Sequence, residues 1–453
     1  MGNAMTQSSC SKLYGRRWGP AVVAVLRLVV GGVFLFSGFT KGIDPWGSIY
    51  KFGEYASMFG LAGYDGLLPF MAFSVSAIEF ALGVFLLVGI YRRFTPYAML
   101  LMMAVMLPLT LYIAVTGEMS DCGCFGDAVT LTNWGTFWKN VPLTLAVVYL
   151  VAYNNRVKNI YGFAVQWIVA LLTFVYLLVI AWEGYFTQPL LDFRPFPVGT
   201  AIAGDDGGID EDFLFLYEKD GVQQGFVLDS LPDDTWTFVD RVPVDGGGDD
   251  EKVADASVYR PITVFDEDYK VADGVVKGKG EQLLLLFPSL SDVVIPFTYH
   301  INETYDFCMA HGIDVVGLTS NGRSEIAEWN DLSMAAYPMY IMDDSELKMV
   351  ARGNPAAVLL SDGKIVWKRT LQSIPIDRLS RADDFAEVLG WSPHHYLYFV
   401  TTLYLAAMLL VLIINRTHIV VKFSLNRVRK SRKKQVNLQS DMDGTYEPEE
   451  KQT

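Results

Sequence analysis

The chain has 453 residues, of which 51% are hydrophobic, 13% aromatic and only 19% charged. A soluble domain usually carries about 25% charged residues, so a disordered chain is excluded and a purely soluble enzyme is disfavoured. The net charge of −14 argues against nucleic acid as a partner, and four cysteines are too few for a disulfide-stapled scaffold.

A bilayer core takes about 20 apolar residues in a helix. Six segments meet or approach that length: 21–39, 69–90, 97–115, 136–153, 163–182 and 396–414. The fourth is the weakest, because Lys139 and Pro142 sit near its start. Lys12, Arg16 and Arg17 precede the first, as in a signal peptide, but no small-residue cleavage site follows, so it is expected to be retained. Arg92 and Arg93 follow the second segment, and Arg156 and Lys158 follow the fourth. After the sixth come Arg416, Lys422, Arg427, Arg429, Lys430, Arg432, Lys433 and Lys434, with no acid among them. Every second loop is thus basic, and with six spans all of these loops fall on one side, which the positive-inside rule makes cytoplasmic. The expectation is a multi-pass protein of the bacterial inner membrane, surrounded by lipid, with both termini cytoplasmic and a large periplasmic domain.

Two charges fall inside the first pair of spans, Arg27 and Glu79. Each costs about 2.5–3.5 kcal/mol at the bilayer centre on insertion scales, so both should face protein. The two helices are consecutive and antiparallel, and Arg27 and Glu79 are expected to form an intramembrane polar pair. That pair reads either as a packing pin or as a ligand or proton site.

After the third span runs Ser120-Asp121-Cys122-Gly123-Cys124-Phe125-Gly126-Asp127. Thiols two residues apart close only a very small ring, so a disulfide here is expected to be strained, and strained, exposed disulfides are the oxidising ones. Gly123 lets the chain fold back and Gly126 offers a second turn. Phe125 and Trp134 are placed to hold a quinone ring at the membrane face, unless they simply belong to the interfacial aromatic belt. A membrane quinone is therefore the candidate cofactor. The competing reading is a fixed disulfide or two idle thiols. No metal is expected, because zinc takes four ligands and no histidine is near in sequence.

The 205–255 stretch is rich in Asp, Glu and Gly, with strand-like runs at 213–217 and 235–239 and a loop at Gly246-Gly247-Gly248. It lacks a calcium-loop pattern, so residues 186–280 read as an acidic, β-rich lead-in with a solvated surface. From Glu281 the pattern alternates. Strands are expected at 283–287, 313–318, 337–341, 356–360 and 364–368, and helices at 294–311, 325–331, 344–350 and 378–389. Ser361-Asp362-Gly363 is a hairpin turn. This alternation is an α/β sandwich.

Its order, together with Arg352-Gly353-Asn354-Pro355-Ala356-Ala357-Val358, resembles the thioredoxin fold over roughly 281–391. The resemblance implies that Pro355 is the cis-proline ahead of the hairpin. A Cys-x-x-Cys should follow the first strand, but the residues there are Phe287-Pro288-Ser289-Leu290-Ser291-Asp292. Without a thiolate there is no nucleophile for exchange, so this domain is expected to be redox-inactive. Cys308 reads as a buried small hydrophobe.

Arg27, the run from Gly31-Gly32-Val33 through Ser37-Gly38-Phe39-Thr40-Lys41 to Asp44-Pro45, and Glu79 resemble the opening of DoxX-like membrane proteins. The Cys122-Gly123-Cys124-Phe125-Gly126 loop is similar to that of the related MauE-like group, linked to maturation of disulfide-rich methylamine dehydrogenase. The resemblance covers about 20–155. It implies a four-helix membrane unit tied to envelope thiol chemistry, with Cys122 and Cys124 as the redox pair and Arg27 and Glu79 as the polar pair.

The whole is then a membrane α-helical bundle of about six transmembrane helices with a DoxX-like four-helix core, plus an extracytoplasmic α/β thioredoxin-like domain. The segments are 1–20 (cytoplasmic), 21–155 (four-helix domain), 156–185 (fifth helix), 186–280 (lead-in), 281–391 (thioredoxin-like), 396–414 (sixth helix) and 415–453 (tail). The leading functional reading is a membrane thiol–disulfide redox protein acting on extracytoplasmic thiol-containing clients. The alternative is a non-enzymatic assembly scaffold with the thioredoxin-like domain as a docking module. A small-molecule carrier using Arg27 and Glu79 is the third, and the absence of an obvious repeat counts against it.

Overall fold

The computed structural model describes residues 19–60, 63, 65–119, 122–154, 159–204, 213–219, 222–226, 237–243, 260–379, 381–382 and 393–443. Lys12, Arg16, Arg17, Arg156, Lys158, the Gly246-Gly247-Gly248 loop, most of the acidic clusters and most of the helix expected at 378–389 lie outside them. The chain divides into two compact units: Met1–Tyr185 with Pro189–Leu191 and Trp391–Thr453, and Phe186–Gln188 with Asp192–Gly390.

The first unit opens with α1 (Gly19–Ile43) and α2 (Pro45–Met58). Asp44 separates them: its side chain accepts from Gly47 N at 3.0 Å, and Pro45 occupies the first helical turn, where its missing N–H costs nothing. Next come α3 (Leu68–Val88), α4 (Phe94–Thr116), α5 (Asn133–Tyr153) and α6 (Gln166–Phe186). Helices α1 and α3 touch backbone to backbone. A Cβ on Gly38 would run into the main chain of Phe80, and one on Gly83 into that of Leu35. Glycines at both positions permit this approach, as small residues do between membrane helices. Val30, Phe34, Leu82 and Leu86 then pack with Met99 and Met103 of α4 and Val147 and Leu150 of α5.

The loops that follow α3 and α5 meet at one end of this unit. Asn154 Nδ2 donates to Arg92 O at 2.9 Å, and Ile160 N donates to Val88 O at 3.1 Å.

The second unit contains two sheets. β1 (Phe213–Lys219), β2 (Val222–Phe226) and β3 (Thr237–Pro243) form an antiparallel sheet in the order β2-β1-β3. Further on come β4 (Glu281–Phe287), α7 (Thr298–Ala310), β5 (Asp314–Thr319), α8 (Arg323–Ser333), β6 (Met339–Ile341), α9 (Asp344–Val350), β7 (Ala356–Ser361), β8 (Lys364–Thr370) and α10 (Ile376–Leu379). Their five strands lie in the order β6-β5-β4-β7-β8, with β4 parallel to β5 and antiparallel to β7. That is a thioredoxin-like sheet. β4 is central, which explains its unbroken apolar run: Leu283, Leu285 and Phe287 fill one core and Leu284 and Leu286 the other. Helix α7 starts four residues later than the sequence pattern suggests, because Pro296 lies in a 3-10 turn, Ile295–Phe297, ahead of it. The Asn354–Pro355 peptide bond, just before β7, is cis, and Asp362 (φ +48°) and Gly363 (φ +72°) make the β7–β8 turn.

An ionic cluster is buried in this unit. Asp192 is bridged by Arg194 Nε at 2.7 Å and by Lys368 Nζ at 2.7 Å. Lys368 Nζ also donates to Val350 O at 2.8 Å and to Phe196 O. One carboxylate thus sits between two cations. Burial alone would raise the Asp192 pKa, but Arg194 and Lys368 outweigh it and hold the carboxyl below its ordinary value. Burial and the neighbouring Arg194 lower the Lys368 ammonium to about 8.

The chain returns to the first unit for α11 (Pro393–Asp443). Its first part packs on α6: the rings of Tyr176 and Tyr404 stack at 4.4 Å, and Tyr161 Oη donates to Met408 O at 2.9 Å. Arg416 Nη2 donates to Ile160 O at 3.4 Å, which brings the start of the basic stretch to the same end as Arg92. The helix runs well past the expected 396–414 span, since no Gly or Pro interrupts it before Gly444 and Lys and Arg are good helix formers. Among the described residues, six helices are long and apolar enough to cross a membrane: α1, α3, α4, α5, α6 and α11.

Candidate functional site

Helix α4 ends at Thr116, and Gly117 takes φ +69°, the left-handed conformation that closes a helix C-terminus. Ser120 and Asp121 lie outside the described residues. Cys122 and Cys124 are joined by a disulfide, with their Cα atoms 5.5 Å apart. Gly123 (φ +61°) and Gly126 (φ +55°) supply the reversals, and Gly126 N donates to Gly123 O at 3.1 Å. Thr132 then caps α5 by accepting from Gly135 N at 3.1 Å.

The disulfide is not exposed, contrary to the expectation for so small a ring in a loop. Cys122 is 7% and Cys124 8% exposed, in a cluster with Ile113 and Met119 and against Tyr55, Met58, Met106 and Leu109. Part of that cover comes from α2, which hydropathy alone does not reveal because the helix is polar and too short to span. Two side chains hold the loop's carbonyls. Tyr55 Oη donates to Cys122 O at 2.7 Å, and Ser37 Oγ lies 2.6 Å from Cys124 O.

The expected Arg27–Glu79 pair does not form. Glu79 binds Lys41, whose Nζ lies 2.7 Å from Oε2 and 2.9 Å from Oε1. Arg27 Nε donates instead to Leu86 O at 2.9 Å, and Nη2 to Leu87 O at 3.4 Å. The reason is register. An α-helix rises about 1.5 Å per residue, so Arg27 and Lys41 sit about 21 Å apart along α1. Arg27 meets the last turn of α3, where carbonyls lack helical partners and a cation is favoured. Side chains lean toward their helix's N-terminus, so Lys41 points back along α1 while Glu79 points back along α3, and the two converge.

Ser37 joins this pair to the loop. Its Oγ is 2.7 Å from Glu79 Oε2 and accepts from Lys41 Nζ at 3.2 Å. A hydroxyl has one proton, so Ser37 shares it between the carboxylate and the Cys124 carbonyl. A buried carboxylate is thereby linked through one hydroxyl to the main chain of a disulfide cysteine.

A second cation approaches from α5. Lys139 Nζ lies 3.9 Å above the Phe125 ring, which also contacts Phe36 at 5.6 Å. A small cavity of about 40 Å³ opens here. Ser37, Glu79, Cys124, Lys139 and Asn140 line its polar side, and Met102, Met103 and Met106 its apolar side. Phe125 belongs to this cavity, whereas the ring contact of Trp134 is with Phe137, so the two aromatics expected to share a quinone ring have different neighbours.

In the second unit, Asn354 Nδ2 donates to Ser289 O at 2.6 Å, drawing the 287–292 stretch to the cis-Pro355 loop, the place where a thioredoxin carries its thiols. No cysteine is there. Cys308 is fully buried in α7, and burial pushes its thiol up to about 12, far from a reactive thiolate. The sequence reading missed Ser37, Lys41, Tyr55 and Lys139. A signal existed for two of them: Ser37 and Lys41 are spaced four apart, on one face of α1.

This is a multi-pass membrane protein that combines a disulfide-bearing helical unit with a thioredoxin-like unit. Residues 19–153, less than half of the chain, match the family described as methylamine utilisation protein MauE, so this helical part is similar to that family. Residues 212–244 match a domain of unknown function, DUF8463. Protein TlpB of Flavobacterium psychrophilum is 24% identical over 160 residues, 34% of this chain, and the chain spans 43% of that relative's length. Two solved structures from Bacteroides thetaiotaomicron are similar. A candidate protein disulfide isomerase is 15% identical, covers 30% of this chain and 89% of its own, and has a TM-score of 0.23. The C-terminal domain of a candidate thiol-disulfide oxidoreductase is also 15% identical, covers 27% and 95%, and has a TM-score of 0.22. At scores this low, the thioredoxin-like fold rests on strand order.

Proposed function

We propose that the chain is a thiol–disulfide exchange protein of the bacterial inner membrane, working through Cys122 and Cys124. The observation that supports this reading is a buried disulfide anchored by Tyr55 and by the Ser37–Glu79–Lys41 network. A bridge between residues two apart closes almost no loop, and chain-entropy arithmetic gives it only about 1.5–2 kcal/mol, so stability alone is a weak reason for it. In the exchange, a client thiolate attacks one sulfur to give a mixed disulfide. A second client thiol then resolves it, leaving the protein as a dithiol. A membrane quinone is the proposed acceptor of those electrons.

The basic loops gathered at one end are taken as cytoplasmic, which puts the disulfide loop and the thioredoxin-like unit in the periplasm. Clients are extracytoplasmic proteins with thiols, and the thioredoxin-like unit holds them. The family's link to methylamine utilisation, and the disulfide chemistry named for the Bacteroides proteins, both suit a role in protein maturation. The missing thiol beside Pro355 favours one further reading, a scaffold in which that unit only docks partners.

Alkylation trapping in intact cells separates the two. Under the exchange reading, Cys122 and Cys124 cycle between oxidised and reduced forms, and one of the single variants, Cys122→Ser or Cys124→Ser, accumulates a client as a mixed disulfide. A pair that is always oxidised, together with fully functional serine variants, selects the scaffold.

A further inference from the structure

The site holds one buried carboxylate and two ammonium groups. Glu79 and Lys41 satisfy each other, with Ser37 as a third partner. Lys139 is left with the face of the Phe125 ring and makes no ion pair among the described residues. It lines the same cavity as Cys124, while Cys122 does not. The fixed charges around that cavity therefore sum to one surplus positive charge in a water-poor setting, where a cation without a counter-ion is costly.

Building on the exchange reading above, we propose that Lys139 is the counter-cation of a Cys124 thiolate, which makes Cys122 the sulfur that a client attacks. A client thiolate forms a bond to Cys122 Sγ. The Cys122–Cys124 bond breaks, and its electron pair leaves on Cys124 Sγ. The client sulfur is oxidised and Cys124 reduced, so this step draws on no outside oxidant and takes up no proton. The new negative charge appears on a residue that lines the same cavity as Lys139, and the site becomes neutral.

Other charged groups near the loop do not offer Cys122 the same help. From α2, the stem of Lys51 packs beside Gly123, but its Nζ pairs with Glu54 at 3.0 Å. The Tyr55 hydroxyl is engaged by the Cys122 carbonyl. Glu79 faces the cavity with its charge already met by Lys41. Leaving-group stability decides which sulfur departs: the thiol with the lower pKa leaves faster. The cation without a carboxylate partner among the described residues shares its cavity with Cys124 alone of the two cysteines, and that sets the direction of opening.

The test uses the full-length protein in nanodiscs. Iodoacetamide alkylation rates against pH are measured for Cys124 in the Cys122→Ser variant and for Cys122 in the Cys124→Ser variant. The Cys124 midpoint is expected about one pH unit or more below that of Cys122. Adding Lys139→Gln should raise the Cys124 midpoint by about one unit and leave that of Cys122 in place, and Lys139→Arg should restore it. Equal midpoints, or a Cys124 midpoint indifferent to Lys139→Gln, overturn the assignment. The unmodified protein gives a second reading that needs no variant to fold. Brief exposure to glutathione, acid quenching and peptide mapping should place glutathione on Cys122. Glutathione on Cys124, or equally on both, overturns the assignment. No adduct at either sulfur sinks the exchange reading together with it.

Discussion

The helical unit and the thioredoxin-like unit each hold a cluster in which one carboxylate is outnumbered by the cations around it. In the α/β unit, Arg194 and Lys368 close on Asp192, and the surplus ammonium of Lys368 is also tied to the carbonyls of Phe196 and Val350. In the helical unit, Lys41 closes on Glu79, and the surplus ammonium of Lys139 has an aromatic face and a cavity shared with Cys124. The first cluster is saturated. Breaking it should cost stability and nothing else. The second is open toward a disulfide, so altering it should reach the chemistry. Thiols follow the same division: the unit with the thioredoxin-like sheet has its one described cysteine sealed in a helix, and the unit without that sheet holds the disulfide.

The largest expected effect breaks the pair in the helical unit. Glu79→Leu strands the Lys41 ammonium inside the bundle, and truncating one partner of a buried pair costs about 3–5 kcal/mol. The same change removes the acceptor that shares the Ser37 proton with the Cys124 carbonyl, so the link from carboxylate to loop is lost. Accumulation in the membrane and heat resistance in detergent should both fall sharply. The double variant Lys41→Met with Glu79→Leu should recover most of the stability, since no lone charge remains, yet not the exchange rate. If the double variant is no more stable than Glu79→Leu alone, the two residues are not energetically coupled.

Much of this arrangement was legible in the sequence, and the misses have physical causes. Spans were visible because a bilayer demands long apolar runs, and β4 because a strand covered on both faces is apolar throughout. The cysteine loop announced itself by Gly123 between two thiols. Arg27 and Glu79 were rightly picked out as buried charges but wrongly paired. Hydropathy places a charge in a helix and says nothing of the register between two helices, which here is set by Gly38 against Phe80 and Gly83 against Leu35. Lys139 was visible only as a flaw in an apolar segment, because its meaning depends on Phe125 and Cys124 being folded back against α5. Tyr55 was hidden for a similar reason: α2 is too polar to look like a membrane element, and its role comes from covering a loop that is remote in sequence.

A middling effect is expected in the saturated cluster. Lys368→Met removes one of two cations from Asp192 and leaves the carbonyls of Phe196 and Val350 short of a donor. Arg194 still holds the carboxylate, so the cost should be about 2–3 kcal/mol. Pulse proteolysis of the full chain, followed by fragments of the 186–390 region, reads it directly. The pH dependence carries a sign. Lys368 titrates at about 8 in the folded unit, below its ordinary 10.5, so between those values the unfolded chain binds the extra proton. Stability should therefore gain a rising component as pH climbs from 8 toward 10.5, and Lys368→Met should lack it. Identical pH slopes in the two proteins would mean that Lys368 keeps its charge through that range. Disulfide exchange at Cys122 and Cys124 should be unchanged by this substitution, which is the sharpest contrast with Glu79→Leu.

The smallest effect is expected at the loop's other anchor. Tyr55→Phe keeps the ring against the Cys122–Cys124 cluster and removes only the hydroxyl that donates to Cys122 O at 2.7 Å. A carbonyl left short of a donor in a largely buried setting costs about 1 kcal/mol, which is roughly a fivefold change in a local opening equilibrium. Because both cysteines are buried, a water-soluble phosphine has to wait for the loop to open before it reaches a sulfur. Reduction of the disulfide by such a phosphine should therefore be about fivefold faster in Tyr55→Phe than in the unmodified protein, with thermal stability nearly the same. Ser37→Ala removes the anchor on Cys124 O, but it also deprives Glu79 of a partner, so it should speed reduction and lower stability together. Equal reduction rates in Tyr55→Phe and the unmodified protein would show that α2 covers the disulfide without holding it. The loop would then be gated by the Ser37–Glu79–Lys41 side alone.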